Sequence, residues 1–180
     1  MLIRRLVLVF GVSLLALLFG CSGKTSNSPQ ATGAPSKPAE PTEPAALPAN
    51  AFKAGITLID PPTKLRAGQK ETVRIKIKNN SDVQWWSRGA RLNTRSDNKF
   101  YLAAGNRWLN ADGSLLTNMD GRYGINANLA PGEEVEVPLG VTAPKDPGEY
   151  TLEIDVVQEG VAWFSEKGSP TAKTKITVVK

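Results

Sequence analysis

The chain has 180 residues, 22 Lys and Arg against 17 Asp and Glu, one Cys and no His. Without histidine the commonest general base, the commonest metal ligand and most nucleophile triads are missing, and a lone Cys cannot form a disulfide within the chain. Arg4 and Arg5 fall among the first twenty residues, so the remainder carries 20 basic and 17 acidic groups, interleaved rather than blocked, which gives no footprint for nucleic acid.

In chain order, Arg4 and Arg5 form a positive start. Leu6 to Phe19 then run apolar apart from Gly11 and Ser13. This stretch of about 14 residues is short of the roughly 20 that a spanning helix needs, and reads as a secretory leader over 1–20. Leu18, Phe19 and Gly20 before Cys21 resemble the lipobox of bacterial lipoproteins, with Phe19 bulkier than the small residue usual there. The resemblance implies that the Cys21 thiol is acylated with diacylglycerol and that the leader is then cut off just before that residue. That would be a multi-chain, palmitate-type membrane anchor holding the protein to the cell envelope with its domain outside the cytoplasm.

The next segment, 21–51, contains Ser, Ala, Thr and Gly and six prolines from Pro29 to Pro48, with Leu47 as its one large aliphatic residue. Such composition cannot offset the entropy of ordering, so a disordered, partly polyproline linker is expected, reaching roughly 30 Å or more.

From Phe52 to Lys180 the period changes to two. Val73, Ile75 and Ile77 alternate with polar residues, as do Val135, Val137, Leu139 and Val141. Tyr150, Leu152, Ile154 and Val156 oppose Glu149, Thr151, Glu153 and Asp155, and Ile176 and Val178 repeat the pattern. Asn79-Asn80, Asp112-Gly113, Asp120-Gly121, Pro131-Gly132 and Pro147-Gly148 punctuate these runs as turns. One all-β antiparallel sandwich over 52–180 is predicted, with no useful helix and with Pro138 on an edge or bulged strand.

Asn79-Asn80 with Trp85, Trp108-Leu109 before Asp112-Gly113, Leu129 to Glu133, Ala143-Pro144, Pro147 to Tyr150 and Glu159 to Phe164 follow one another in a recognisable order. This series resembles immunoglobulin-like domains of bacterial envelope and polysaccharide-related proteins, and also the four-tryptophan domain of autophagy receptors. The resemblance implies an immunoglobulin-like fold and no particular activity. Against that layout, residues 95–106, with Phe100 and Tyr101, read as an insert.

Chemistry is sparse. Glu133, Glu134 and Glu136, and Glu149, Glu153 and Asp155, are expected on the solvated faces of strands. An enzyme built on paired carboxylates is the least favoured reading. Asp112-Gly113 and Asp120-Gly121 lack the spaced oxygen ligands of a calcium loop, so no metal and no cofactor is expected. The aromatics lead elsewhere. Trp85 and Trp86 are adjacent, so an extended chain turns one ring inward and one outward; Trp163 and Phe164 repeat the arrangement. An outward indole suits stacking on sugar or anchoring a partner. The candidate binding set is Trp85, Trp86, Arg88, Arg91, Trp108, Trp163 and Phe164. The expected function is a non-enzymatic, lipid-anchored envelope module recognising carbohydrate or a protein partner. The alternative is a structural or assembly subunit of an envelope complex.

Overall fold

The alternating stretches become strands because each can turn its apolar side chains to one face and its charges to the other. The computed structural model describes residues 39–40, 45–89 and 98–180, with only the backbone of 118–120. Cys21 and Arg91 lie outside the described residues, as does the leader. The strands are β1 (Ala54–Ile59), β2 (Lys64–Arg66), β3 (Lys70–Asn79), β4 (Leu102–Leu109), β5 (Leu115–Gly124), β6 (Glu134–Thr142), β7 (Gly148–Gln158), β8 (Ala162–Trp163) and β9 (Ala172–Val179). Among the described residues the only helical pieces are two 3-10 turns, Ala49–Ala51 and Ser165–Lys167.

Two sheets face each other. The smaller has the order β1-β3-β6, all antiparallel; the larger has the order β2-β9-β7-β4-β5, with β8 paired to the end of β7. After β1 the chain passes Pro61 and Pro62, crosses to the larger sheet, and β2 runs parallel to β9. A first strand split between the two sheets, with all the other strand pairs antiparallel and one core between the sheets, makes this an immunoglobulin-like sandwich.

The core is what the alternation predicts. Val73, Ile75 and Ile77 of β3 and Val137, Leu139 and Val141 of β6 meet Leu152, Ile154 and Val156 of β7 and Ile176 and Val178 of β9, all buried. Each such aliphatic contributes roughly 1.5–3 kcal/mol by leaving water. Pro138 lies on β6, an edge strand of the smaller sheet, where its missing N–H breaks no ladder.

At one seam the sheets nearly fuse. Gly121 of β5 approaches Gly140 of β6 so closely that a methyl group would collide with the Gly140 carbonyl oxygen, and the Gly121 N–H donates to Asn106 Oδ1 at 2.8 Å.

Three expectations need correction. Residues 45–51, assigned to the linker, lie along the sandwich. Ala51 is fully buried, Leu47 packs against the core, and the Leu47 N–H donates to Gln158 Oε1 at 2.8 Å. Residues 95–106 are not one insert, because Leu102 to Asn106 belong to β4, in the interior of the larger sheet. Glu153 and Asp155 are not solvated. They sit on the outer face of β7, only 8% and 1% exposed, because β7 is an interior strand whose outer face is covered by its neighbours. Glu133, Glu134, Glu136 and Glu149 are exposed, as expected.

Candidate functional site: a groove beside Trp86

Asn79 organises the approach to the site. It is fully buried, and its Nδ2 donates to the carbonyls of Val83 (2.8 Å) and Leu129 (2.9 Å). Its Oδ1 accepts from the Ser81 N–H (3.0 Å) and Ser81 Oγ (2.6 Å), so every polar position of this side chain is used. This knot turns the chain so that Trp85 bridges Leu129 through paired backbone hydrogen bonds of 2.9 and 3.0 Å. Sequence reading marked Asn79 only as a turn.

Trp85 then points inward. Its ring is fully buried, its Nε1 donates to the Ala51 carbonyl at 3.0 Å, and Phe164 meets it edge-on at 5.1 Å, with Phe52 5.0 Å beyond. Trp108 is also buried, and its Nε1 has no hydrogen-bond partner. Trp85, Trp108 and Phe164 are therefore core residues, which removes them from the candidate binding surface. Their burial follows from strand parity: Trp108 shares the inward face of β4 with Leu102 and Ala104.

Trp86 points the other way. It lines a groove of about 510 Å³ together with Gln84, Arg88, Phe100, Tyr101, Gln158 and the segment Ala45, Ala46, Leu47 and Pro48, with Glu40 also on its wall. That volume lies in the usual range for small-ligand sites, roughly 300–1,000 Å³. Arg88 is fixed at the rim, its Nη1 donating to the Lys99 carbonyl at 2.7 Å and its guanidinium 4.8 Å from the Tyr101 ring centre.

Two features of the wall are costly to the fold. Phe100 has φ of 71°, a left-handed conformation that a bulky residue rarely adopts. Gln84 is 8% exposed, and its Nε2 donates to the Trp85 carbonyl at 3.1 Å while its Oε1 lacks a partner. Rotating the amide would set oxygen against oxygen, so the unsatisfied group is an acceptor. Local costs of this kind concentrate at binding sites.

Trp163 lies on the outer face of the larger sheet with two guanidiniums against its ring, Arg107 at 4.4 Å and Arg122 at 4.3 Å from the centroid. Gly105 makes room, since a methyl group there would strike both Arg122 and Trp163. Arg122 Nε donates to Glu159 Oε1 at 2.8 Å, and Arg107 lies 3.7 Å from both Glu153 and Asp155. Burial raises the Asp155 carboxyl above its ordinary range, although hydrogen bonds from Ser165 and the Val156 N–H pull the other way. Burial also acts on Glu153, but hydrogen bonds from Thr171 and Lys173 and the nearby cations outweigh it and hold that carboxyl low. Two cations already stack on Trp163, so this cluster reads as a paired polar layer rather than an open site. Asp112, at the β4–β5 turn, accepts from the Ser114 hydroxyl and N–H, which keeps its carboxyl below the usual value.

Of the candidate set, Trp86 and Arg88 thus share the groove, Trp163 stands apart, and three residues are internal. Gln84, Tyr101 and Gln158 are groove residues that sequence reading missed. Only Tyr101, as an aromatic in the suspected insert, carried a signal.

No known protein family matches the chain, and no curated protein matches it. Among solved structures it is similar to the CARDB domain of a Pyrococcus furiosus protein, with 14% identity over 71% of this chain and 93% of that one, at a TM-score of 0.39. It is also similar to a β-glucosidase from Listeria innocua (15% identity, 71% and 16% covered, TM-score 0.41). A third is the sporulation control protein Spo0M of Bacillus subtilis (16% identity, 71% and 49% covered, TM-score 0.36).

Proposed function

We propose that the sandwich is a non-catalytic binding module of the cell envelope, tethered through acylated Cys21, and that carbohydrate seats in the groove beside Trp86. The observation that carries this reading is one half-buried indole on a groove of about 510 Å³ whose rim also holds the exposed Arg88 guanidinium. Sugars present apolar C–H faces that stack on an indole and hydroxyls that accept from a guanidinium. The resemblance of the aromatic and turn series to polysaccharide-associated domains supports the same class. Glycan arrays and peptidoglycan pull-downs test it: the protein should retain at least one envelope glycan, and Trp86→Ala should lose it. Binding to none removes the carbohydrate assignment. Cys21→Ser should release the protein from membranes or leave the leader uncut, and unchanged fractionation and mass refute the anchor.

A protein partner is the second reading. Leu115 and Leu116, 55% and 42% exposed at the start of β5, favour it, because two adjacent exposed leucines suit an interface. Crosslinking in cells from position 116 should capture one stoichiometric partner if this reading holds.

A further inference from the structure

We infer that Gln158 is a positioning residue that builds one wall of the groove from the chain leading to the tether, so that the site is completed by residues 45–48 and weakened when they are drawn away. The inference rests on the groove being the binding site. Gln158 ends β7 on its inward face, in register with Leu102 of β4, and is 2% exposed. Its Oε1 accepts from the Leu47 N–H at 2.8 Å, and its Nε2 donates to the Ala45 carbonyl at 3.0 Å and, at 3.4 Å, to the Phe100 carbonyl.

One neutral amide thus reads a donor and an acceptor two residues apart, as a neighbouring strand would, and joins that segment to Phe100 on the groove wall. No other uncharged side chain of similar length except an amide offers both functions. Residues 45–48 and Phe100 line the same cavity as Trp86. Among the described residues, this segment is otherwise held by Leu47 against the core and by the turn that the Ala51 N–H closes on the Pro48 carbonyl. Neither of these fixes the backbone of Ala45. Loss of the amide should therefore free the wall while the sandwich stays folded.

The test uses the full chain in detergent, in wild-type, Gln158→Leu and Gln158→Glu forms. Glutamate keeps the acceptor for the Leu47 N–H but cannot donate to Ala45. Amide hydrogen exchange at Leu47 should speed up about tenfold or more in Gln158→Leu, the factor that one or two net hydrogen bonds carry, and less in Gln158→Glu, with unchanged protection across β3 and β7 up to Val156. Trp86 should become more accessible to acrylamide, and affinity for soluble peptidoglycan fragments should fall at least fivefold. Unchanged exchange at Leu47 in Gln158→Leu overturns the inference, as does faster exchange without any change in Trp86 quenching. If the wild-type protein binds no fragment, the carbohydrate reading fails, and the exchange and quenching results still decide the role of Gln158.

Discussion

The two aromatic pairs, Trp85-Trp86 and Trp163-Phe164, obey the same geometry and end in different circumstances. In each, strand-like alternation buries one ring: Trp85 and Phe164 touch edge to face at 5.1 Å in the core. The outward rings diverge. Trp163 is engaged by the guanidiniums of Arg107 and Arg122, whereas no ring or cation stacks on Trp86 among the described residues, and it borders a groove. Parity thus tells which ring leaves the core, but only neighbours distant in sequence decide whether that ring is available to a ligand.

The comparison breaks first at Trp85. Trp85→Ala should cost about 3–5 kcal/mol of stability, since it empties a fully buried site, while Trp86→Ala should stay within about 1 kcal/mol. Equal denaturant midpoints for the two variants would contradict the assigned orientations. Next comes Asn79→Leu, which deletes four buried hydrogen bonds and strands their partners. A loss of about 2 kcal/mol or more is expected, with a red shift of tryptophan emission as Trp85 loosens. A smaller effect sharpens the other half: Gly105→Ala should cost about 1–3 kcal/mol by forcing Trp163 and Arg122 apart, yet leave any ligand binding at Trp86 intact. Loss of that binding would show that the two outward rings belong to one surface.

The smallest effect is in the pH dependence. Asp155 holds its proton more tightly folded than unfolded, so its contribution to stability is full below the ordinary Asp value near 3.8 and is lost as pH rises through the folded value. Glu153 behaves oppositely, stabilising above its ordinary value near 4.5 and losing that contribution as pH falls through its lowered folded value. Asp155→Asn, whose side-chain oxygen can still accept from the Val156 N–H, should be at least as stable as the parent at neutral pH. Glu153→Gln should be less stable there, with the deficit shrinking on acidification. Urea midpoints between about pH 3 and pH 7 give both signs.

Much of the fold was legible because β3, β6 and β9 alternate cleanly and lie where one face meets the core and the other meets water or the rim. β7 shows why the pattern has limits. Its acidic residues look solvent-facing by period, but an interior strand has neighbours on both sides, and Trp163 and Arg107 arrive from elsewhere to cover them. β4 was hidden for a related reason: Ala103, Ala104 and Gly105 are poor strand formers, and Gly105 leaves the space that Arg122 and Trp163 occupy. The segment 45–51 was read as linker because its composition is that of one. Its order comes from Gln158, more than a hundred residues away, and no local pattern encodes a partner at that distance.

The near contact of Gly121 and Gly140 also bears on how this protein keeps to itself. Where those two backbones touch, no foreign strand can slip alongside β5, so template-directed stacking of copies is barred over that stretch. The unguarded part of this border is the short leucine-bearing start of β5, and a substitution enlarging Gly121 would prise the seam open and lengthen the sticky edge.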